Sequence, residues 1–304
     1  MITVQNLHKK FKSFHALKGI DLHVKKGEIY GFIGQNGAGK STTMNILAGL
    51  SRPSEGHCIV NGRDVTKIRH PSELHIGYLP EDPRFYPWMT ARETLTYLGN
   101  SPQHRADQAR INEMLNWIGL EKAANRRVGG FSRGMKQRLG IGAALIHDPE
   151  LLILDEPSSA LDPEGRSDVL RLIRDLKQMG KTVFFSSHIL NDVERICDTV
   201  GMIAAGVMKM EKPLDVILKE NILPIYDVTL QMPIDQATLG LLNQVAGVTD
   251  VTAHNERLSI ATADADSAST HLMRFFIEHD LALRSFSLRE NDLENIFIQE
   301  VNGK

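Results

Sequence analysis

The segment from Gly34 to Ser41 has the residue types and the spacing that bind a phosphate group. Its sequence, Gly-Gln-Asn-Gly-Ala-Gly-Lys-Ser, matches the pattern G-x-x-x-x-G-K-[ST]. The glycines allow successive backbone N–H groups to surround a phosphate, Lys40 would reach the β- and γ-phosphates, and the Ser41 hydroxyl would bind Mg²⁺. The flanking runs 28–33 and 42–48 predict the strand and the helix that this motif requires. We therefore expect the chain to bind a nucleoside triphosphate.

Two carboxylates and a histidine follow apolar runs farther along the chain. Asp155 and Glu156 come directly after four aliphatic residues, 151–154, and His188 follows the run 182–187. Such runs are typical of buried parallel strands, whose carboxyl ends share one edge of a sheet. There Asp155 would hold Mg²⁺ through water, Glu156 would polarise an attacking water, and His188 would contact a γ-phosphate. The pattern indicates hydrolysis of the triphosphate.

Two further segments have features that suit nucleotide contacts. Phe11 and Phe14 precede the phosphate loop at a distance that allows an aromatic ring to stack on a base, although rings in a hairpin also simply pack. The glycine-bearing turn 129–138 opens a predicted helix that runs to about residue 147, so its backbone donors and helix terminus could face a phosphate.

Composition limits the class of protein. A chain of 304 residues suggests about two domains, and its net charge of −2 gives no electrostatic argument for nucleic acid. Cys58 and Cys197 lie far apart, which indicates neither a disulfide framework nor a zinc site. The N-terminus lacks the pattern of a secretory signal, and the apolar runs fall short of the roughly 20 residues of a spanning helix. We expect a cytosolic protein that reaches a membrane only through a partner.

The predicted elements divide the chain into two parts. Strands are expected at 2–4, 16–24, 56–62 and 76–80, and a capping box at Thr90 opens a helical insert whose second helix spans 106–118. From about Leu223 the pattern restarts. Its elements are strand 225–230, helix 235–245, strand 248–253, strand 258–261, helix 266–278 and strand 281–288, followed by a last helix at 292–298. The β-α-β-β-α-β order predicts a ferredoxin-like arrangement.

Together these motifs resemble the nucleotide-binding domain of ABC transporters, over the region from Met1 to about Leu218. For the nucleotide, the resemblance implies that Phe11 is the base-stacking aromatic residue and that the Walker A loop consists of Gly34, Gln35, Asn36, Gly37, Ala38, Gly39, Lys40, Ser41 and Thr42. For the reaction, it implies that Glu81 is the Q-loop residue and a metal contact, that Asp155 and Glu156 are the Walker B aspartate and the catalytic glutamate, and that His188 is the switch histidine. It also implies a signature formed by Ser132, Arg133, Gly134 and Met135, and a D-loop that contains Ser159 and Asp162. It implies ATP and Mg²⁺, and two domains paired head to tail, so that Ser132 and Gly134 complete the site of the opposite subunit.

Two departures from the family pattern narrow the resemblance. Glu81 replaces the usual glutamine, which keeps an oxygen for Mg²⁺ but adds charge beside the phosphates. We expect this charge to slow turnover or to alter contact with the membrane partner. Arg133 and Met135 replace the usual glycine and glutamine of the signature. This variant is similar to the ATPases that serve ABC type-2 permeases, which export drugs, antimicrobial peptides, lipids or polysaccharides, or ions, or assist copper-site maturation.

The expected fold is therefore α/β, a P-loop NTPase domain of the ABC type at residues 1–220 with a mixed sheet core, an antiparallel β subdomain and a helical subdomain at about 85–147. A small α+β domain for dimerisation, docking or ligand sensing follows at 221–304. We expect a homodimer on the cytoplasmic face of the membrane that powers an integral membrane permease and binds no nucleic acid. Two alternatives stay open: a soluble ABC ATPase acting on nucleic acid or ribosomes, and a slowly hydrolysing regulatory subunit.

Overall fold

The computed structural model describes residues 1–100, 105–220, 224–289 and 292–302. Its strands are β1 (Ile2–Phe11), β2 (Phe14–Val24), β3 (Ile29–Ile33), β4 (Glu55–Val60), β5 (Arg63–Asp64), β6 (Ile76–Leu79), β7 (Leu151–Leu154), β8 (Thr182–Ser187), β9 (Thr199–Ala204), β10 (Val207–Pro213), β11 (Ile225–Leu230), β12 (Val248–His254), β13 (Arg257–Thr262) and β14 (Leu283–Leu288). Its α-helices are α1 (Lys40–Leu47), α2 (Ala91–Leu98), α3 (Gln108–Trp117), α4 (Arg133–Leu145), α5 (Pro163–Gln178), α6 (Leu190–Ile196), α7 (Leu214–Glu220), α8 (Gln236–Leu242), α9 (Ala265–Glu278) and α10 (Leu293–Asn302).

A six-stranded mixed sheet forms the centre of the first part of the chain. Its strand order is β10-β9-β3-β8-β7-β6, in which β10 is antiparallel to β9 and the other neighbours are parallel. Every residue of β3, β7 and β8 is buried, as expected for strands that are covered on both faces. Because these strands are parallel, the segments that follow β3, β6, β7 and β8 leave from the same edge of the sheet. The mixed sheet predicted from the sequence is confirmed.

An antiparallel sheet and a group of helices complete this part. The sheet has the order β2-β1-β4-β5. Its strands β1 and β2 extend through the polar segment that was predicted to separate two shorter strands, since the turn between them spans only Lys12 and Ser13. The helices α2, α3 and α4 lie within the helical subdomain predicted at about 85–147. Helix α2 begins where the capping box predicts, with the Thr90 hydroxyl accepting from the backbone N–H of Glu93.

The later part of the chain packs two helices and a four-stranded sheet around a core of its own. The sheet order is β12-β13-β11-β14, and all neighbouring strands are antiparallel. With α8 after β11 and α9 after β13, the observed element order is the predicted β-α-β-β-α-β. Its buried side chains include Tyr226, Val228, Leu258, Ile260, Leu272 and Phe276.

Backbone contacts divide the chain into two compact units. The first holds Met1–Leu214 and the described residues from Phe297 on, and the second, here called the C-terminal unit, holds Asp215–Ile296. The predicted restart near Leu223 and the predicted boundary at 220/221 involve residues 221–223, which lie outside the described ranges, so the two-domain division at that point stays a prediction.

None of the helices in the described part of the chain combines the length and the hydrophobicity that crossing a bilayer requires.

We expect Phe184 in the central sheet to contribute strongly to the free energy of unfolding. This ring is fully buried on β8, between Tyr30 at a centroid distance of 5.2 Å and Phe32 at 5.5 Å. Phe184→Ala should lower the free energy of unfolding by about 3–5 kcal/mol, because it removes a large buried side chain and leaves a cavity. Chemical denaturation followed by tryptophan fluorescence measures this, since both tryptophans, Trp88 and Trp117, belong to the first unit.

The matched control is Val207→Ala on β10, where the side chain is 40% exposed. It should change the free energy of unfolding by no more than about 0.5 kcal/mol. Equal losses in the two variants would contradict the central role assigned to Phe184.

Candidate nucleotide-binding site

The phosphate loop connects β3 to α1, and its backbone requires glycine at two positions. Gly39 caps α1 with a φ of 115°, in the left-handed region that residues with a Cβ rarely adopt. At Gly34 an added Cβ would lie 2.5 Å from the carbonyl oxygen of Ile203. Because Gly39 offers no side chain, no side chain caps α1, and the first N–H groups of the helix remain available to an anion.

Lys40 and Glu156 form a buried ion pair beside this loop. Lys40 Nζ lies 3.2 Å from Glu156 Oε1, and only 6% and 7% of the two side chains are exposed. The ammonium also donates to the carbonyl oxygen of Gly34 at 2.7 Å. The second carboxylate oxygen, Glu156 Oε2, lies 2.7 Å from His188 Nδ1. The structure therefore brings together the three residues that the sequence predicted to be catalytic.

Ser186 bridges the two neighbouring carboxylate residues from the end of β8. Its hydroxyl donates to Asp155 Oδ1 at 2.6 Å and accepts from the backbone N–H of Glu156 at 2.9 Å. Glu156 itself has a φ of 47°, a left-handed conformation that is uncommon for a residue with a side chain. The bridge holds this turn against β8 and thereby fixes the direction in which Glu156 leaves the sheet.

Burial controls the electrostatics of Asp155. Desolvation raises the pKa of this carboxyl, and the nearby charges of Glu156 and Glu81 raise it further, while hydrogen bonds with Ser186 and Ser41 oppose the shift. Burial and the charge of Asp155 also raise the pKa of Tyr78 to about 12. A cation beside Asp155 would offset the cost of burying its negative charge.

The residues around Asp155 fit Mg²⁺ bound together with a phosphate. Ser41 and Asp155 are within hydrogen-bond reach of each other, and Glu81 is close enough to affect the charge of Asp155, so all three offer the oxygen donors that Mg²⁺ prefers. Within the described ranges, no group of three or more His, Cys, Asp or Glu side chains is arranged to hold a metal by itself. Mg²⁺ commonly takes only one or two carboxylates and completes its shell with water and substrate phosphates.

A cavity of about 450 Å³ opens over these groups. It contains most of the predicted phosphate loop, together with Glu81 from the segment after β6, Ser159 from the predicted D-loop, and both Glu156 and His188. Its lining residues are Phe14, Ala16, Gln35, Asn36, Gly37, Gly39, Lys40, Ser41, Thr42, Glu81, Glu156, Ser159 and His188. Gly34, Ala38 and Asp155 are not among the lining residues; Ala38 and Asp155 are buried.

The aromatic residue that lines the cavity is Phe14, whereas the sequence analysis assigned base stacking to Phe11. Phe14 and Ala16 lie two residues apart on β2, so they face the same side of the strand and both reach the cavity. Phe11 is the paired residue on β1, half-exposed, with Lys9 Nζ 4.9 Å from its ring centroid. Both rings are candidates for base stacking from the sequence, and the pairing of β1 with β2 places Phe14, not Phe11, at the cavity.

The predicted signature residues lie elsewhere in the same unit. Ser132 caps α4 by accepting from the backbone N–H of Met135 at 3.2 Å, and Ser132 and Arg133 are exposed. Neither these residues nor Gly134 line the cavity of their own chain. Their role toward a second subunit stays a prediction. Asp162 of the predicted D-loop caps α5 and likewise does not line the cavity.

Two residues that position the site were not predicted from the sequence. Ser186 is one of them, although a hydroxyl residue at the carboxyl end of an apolar run is a usable signal. Asp192 on α6 is fully buried, accepts from the Ser158 hydroxyl at 2.6 Å, and pairs with Arg166 at 2.5 Å. It anchors the turn that follows Glu156, and its position in the sequence gives no indication of this.

Comparison with known proteins gives one consistent group of relatives. The ABC transporter family model matches residues 17–159. The bacitracin transport ATP-binding protein BcrA of Bacillus licheniformis is 36% identical over 100% of this chain and 98% of that protein. The linearmycin resistance ATP-binding protein LnrL of Bacillus subtilis is 35% identical, over 98% of this chain and 97% of its own.

Solved structures agree with these relatives. The dimeric ATP-binding cassette MJ0796 in a post-hydrolysis state, bound to ADP and Pi, matches with a TM-score of 0.63 and 28% identity, over 70% of this chain and 99% of that one. An ATP-binding subunit of an ABC transporter matches with a TM-score of 0.64 and 31% identity, over 72% of this chain and 92% of that chain.

We expect the bridge made by Ser186 to affect kcat. Ser186→Ala should lower kcat for ATP hydrolysis about tenfold and leave KM nearly unchanged, because it loosens the carboxylates without removing a phosphate contact. Steady-state phosphate release measures both constants. Thr182→Val, which removes a buried hydroxyl at the opposite end of the same strand, is the control and should leave kcat unchanged. A parallel loss in both variants would show that Ser186 acts only on stability.

Proposed function

This chain belongs to the ATP-binding proteins of ABC transporters, the ATPases that power transport, and we propose that Lys40, Glu156 and His188 carry its hydrolysis and that it drives export through a membrane permease. The observation that supports the catalytic assignment is the contact of the buried Glu156 carboxylate with both Lys40 and His188. It unites the phosphate loop, the end of β7 and the end of β8 in one cavity.

In this proposal each side chain has a separate task. Glu156 orients the attacking water and accepts its proton, since its carboxylate ends at the cavity wall. Lys40 and His188 stabilise the charge that develops on the γ-phosphoryl group. Ser41, Asp155 and Glu81 would hold Mg²⁺, which would neutralise phosphate charge. Phe14, as the aromatic residue of the cavity, is a candidate for contact with the base alongside the predicted Phe11.

The active species in this proposal is a head-to-tail homodimer. One chain supplies the phosphate loop and Glu156, and the second supplies Ser132, Arg133, Gly134 and Met135, which are absent from the cavity of their own chain. The start of α4 suits a phosphate contact, because it combines a serine hydroxyl with the positive end of a helix of 13 residues. ATP then closes the dimer and hydrolysis reopens it.

The cargo that we propose is an antibiotic or antimicrobial peptide that the permease expels. The support is the similarity over nearly the whole chain to a bacitracin transport protein and a linearmycin resistance protein.

Glu81 keeps a second candidate open, a slowly hydrolysing subunit, because its charge near Asp155 adds a third carboxylate to the phosphate site. The proposed location is the cytoplasmic face of the membrane, where the permease holds the chain.

A groove at the helical subdomain is the proposed contact with the permease. It has a volume of about 280 Å³ and is lined by residues of β6, of the segment 80–85 and of α4, together with Leu98 and His147. Three exposed rings lie on the same subdomain: Tyr86 is 5.0 Å from Trp88 and 5.9 Å from Tyr97 between ring centroids. Exposed aromatic side chains are enriched at protein interfaces and supply much of their binding energy.

Glu156→Gln tests the catalytic proposal. The variant keeps the size of the side chain but removes its basic charge, so ATP hydrolysis should fall by about 10²-fold or more while ATP still binds. With Mg²⁺ and ATP, light scattering after size exclusion should show a stable dimer that the wild type forms only transiently. Glu150→Gln at an exposed ion pair with Lys26 is the control. Unchanged hydrolysis by Glu156→Gln would exclude Glu156 from catalysis.

Trp88→Ala tests the docking proposal. With 63% of Trp88 exposed, its loss should spare the fold and ATP binding but weaken permease binding by about 2 kcal/mol, as at an interface hot spot. A pull-down from detergent-solubilised native membranes, with mass spectrometry of the captured proteins, measures this. Met179→Ala, an exposed residue that follows α5, should capture the permease like the wild type. Equal capture of the permease by both variants would show that the permease docks on another surface.

A further inference from the structure

The outer face of α9 in the C-terminal unit presents side chains that the chain leaves exposed. These residues follow the spacing i, i+3, i+4, i+7 and i+8, which places them along one face of the helix. This set, the α9 stripe, consists of Thr270, Met273, Arg274, Ile277 and Glu278. Ile277 is 79% exposed and Met273 is 42% exposed, so the centre of the stripe is apolar.

The α9 stripe borders an open groove of about 660 Å³ whose floor is Phe286. Phe286 belongs to β14, an edge strand that pairs only with β11 among the described strands. Its ring stacks on Tyr226 at a centroid distance of 4.7 Å and meets Phe276 edge-on at 6.2 Å. The floor is therefore anchored in the core of the unit, and the groove is a preformed apolar surface.

The charges of the stripe are complementary to those of a second copy. Arg274 and Glu278 lie four residues apart on the exposed face, and neither makes an ion pair within the part of the chain that the structure describes. When two copies of such a helix cross antiparallel about a two-fold axis, the positive position of each meets the negative position of the other. A partner of different sequence would need the matching pair of charges, whereas a second copy supplies it.

We propose that the C-terminal units of two copies pair through the α9 stripe, with Ile277 beside the two-fold axis and Arg274 facing the partner's Glu278. The contact rests on the homodimer proposed above. A five-residue stripe buries less surface than the roughly 800 Å² per partner of a standard stable interface. It therefore adds to a dimer that the ATP-binding units already hold together, where the effective concentration of the second copy is high.

Cysteine cross-linking in the full chain tests this pairing. Ile277→Cys should form a disulfide-linked dimer under mild oxidation, and this dimer should form faster when Mg²⁺ and ATP are present. Leu241→Cys should not form one. Leu241 is a matched control because it is 48% exposed and lies on α8 of the same unit. The native cysteines, Cys58 and Cys197, are buried and should not contribute.

Charge reversal then separates specific pairing from chance collision. In the Ile277→Cys background, Arg274→Glu or Glu278→Arg alone should slow cross-linking about fivefold, because each places like charges opposite one another across the axis. The double variant, with both substitutions, should restore the original rate. A merely structural role of either residue would not produce this recovery.

Two results would overturn the proposal: equal cross-linking of Ile277→Cys and Leu241→Cys, or a double charge variant as slow as the single ones. The underlying homodimer is judged separately, by ATP-dependent sedimentation of the wild-type chain. Sedimentation as an ATP-bound dimer without selective cross-linking refutes the α9 contact and leaves the proposed function standing. Selective cross-linking without an ATP-dependent dimer refutes the head-to-tail homodimer and retains the contact.

Discussion

The buried ion pair between Lys40 and Glu156 is the interaction on which the site depends. Its two side chains are almost completely removed from water. At such a buried position, either charge without its partner would be strongly unfavourable. The pair therefore ties the phosphate loop to the end of β7, although the two lie far apart in the sequence. It forms because β3 and β7 both flank β8, so their carboxyl ends open at the same edge of the sheet.

In the proposed mechanism, this arrangement links phosphate binding to the placement of the Glu156 carboxylate. A phosphate that enters the loop is an anion and competes with Glu156 for the Lys40 ammonium. Glu156 also contacts His188 through its second carboxylate oxygen, and the Ser186 hydroxyl accepts from its backbone N–H. We therefore expect these two contacts to hold Glu156 at the cavity wall when a phosphate displaces it from Lys40.

The two units have different chemical character. In the first, polar side chains converge on a cavity, where the buried Asp155 carboxyl favours a cation and the uncapped start of α1 favours an anion. In the C-terminal unit, the polar contacts among Asp227, Arg289 and Ser259 are internal to the sheet, and the accessible surface of interest is an apolar stripe with two opposite charges. The proposed chemistry therefore lies in the first unit, and the proposed α9 contact adds a second surface for association in the C-terminal unit.

Local residue patterns were enough to predict the phosphate loop, the ends of β7 and β8, and the order of elements in the C-terminal unit, because each depends on glycine spacing, aliphatic runs or helical periodicity. Three features became visible only in the folded chain: Phe14, not Phe11, lines the cavity, Ser186 bridges Asp155 and Glu156, and Asp192 anchors the following turn. These depend on strand pairing and on contacts between residues remote in sequence, which fix distances and burial that no local pattern encodes.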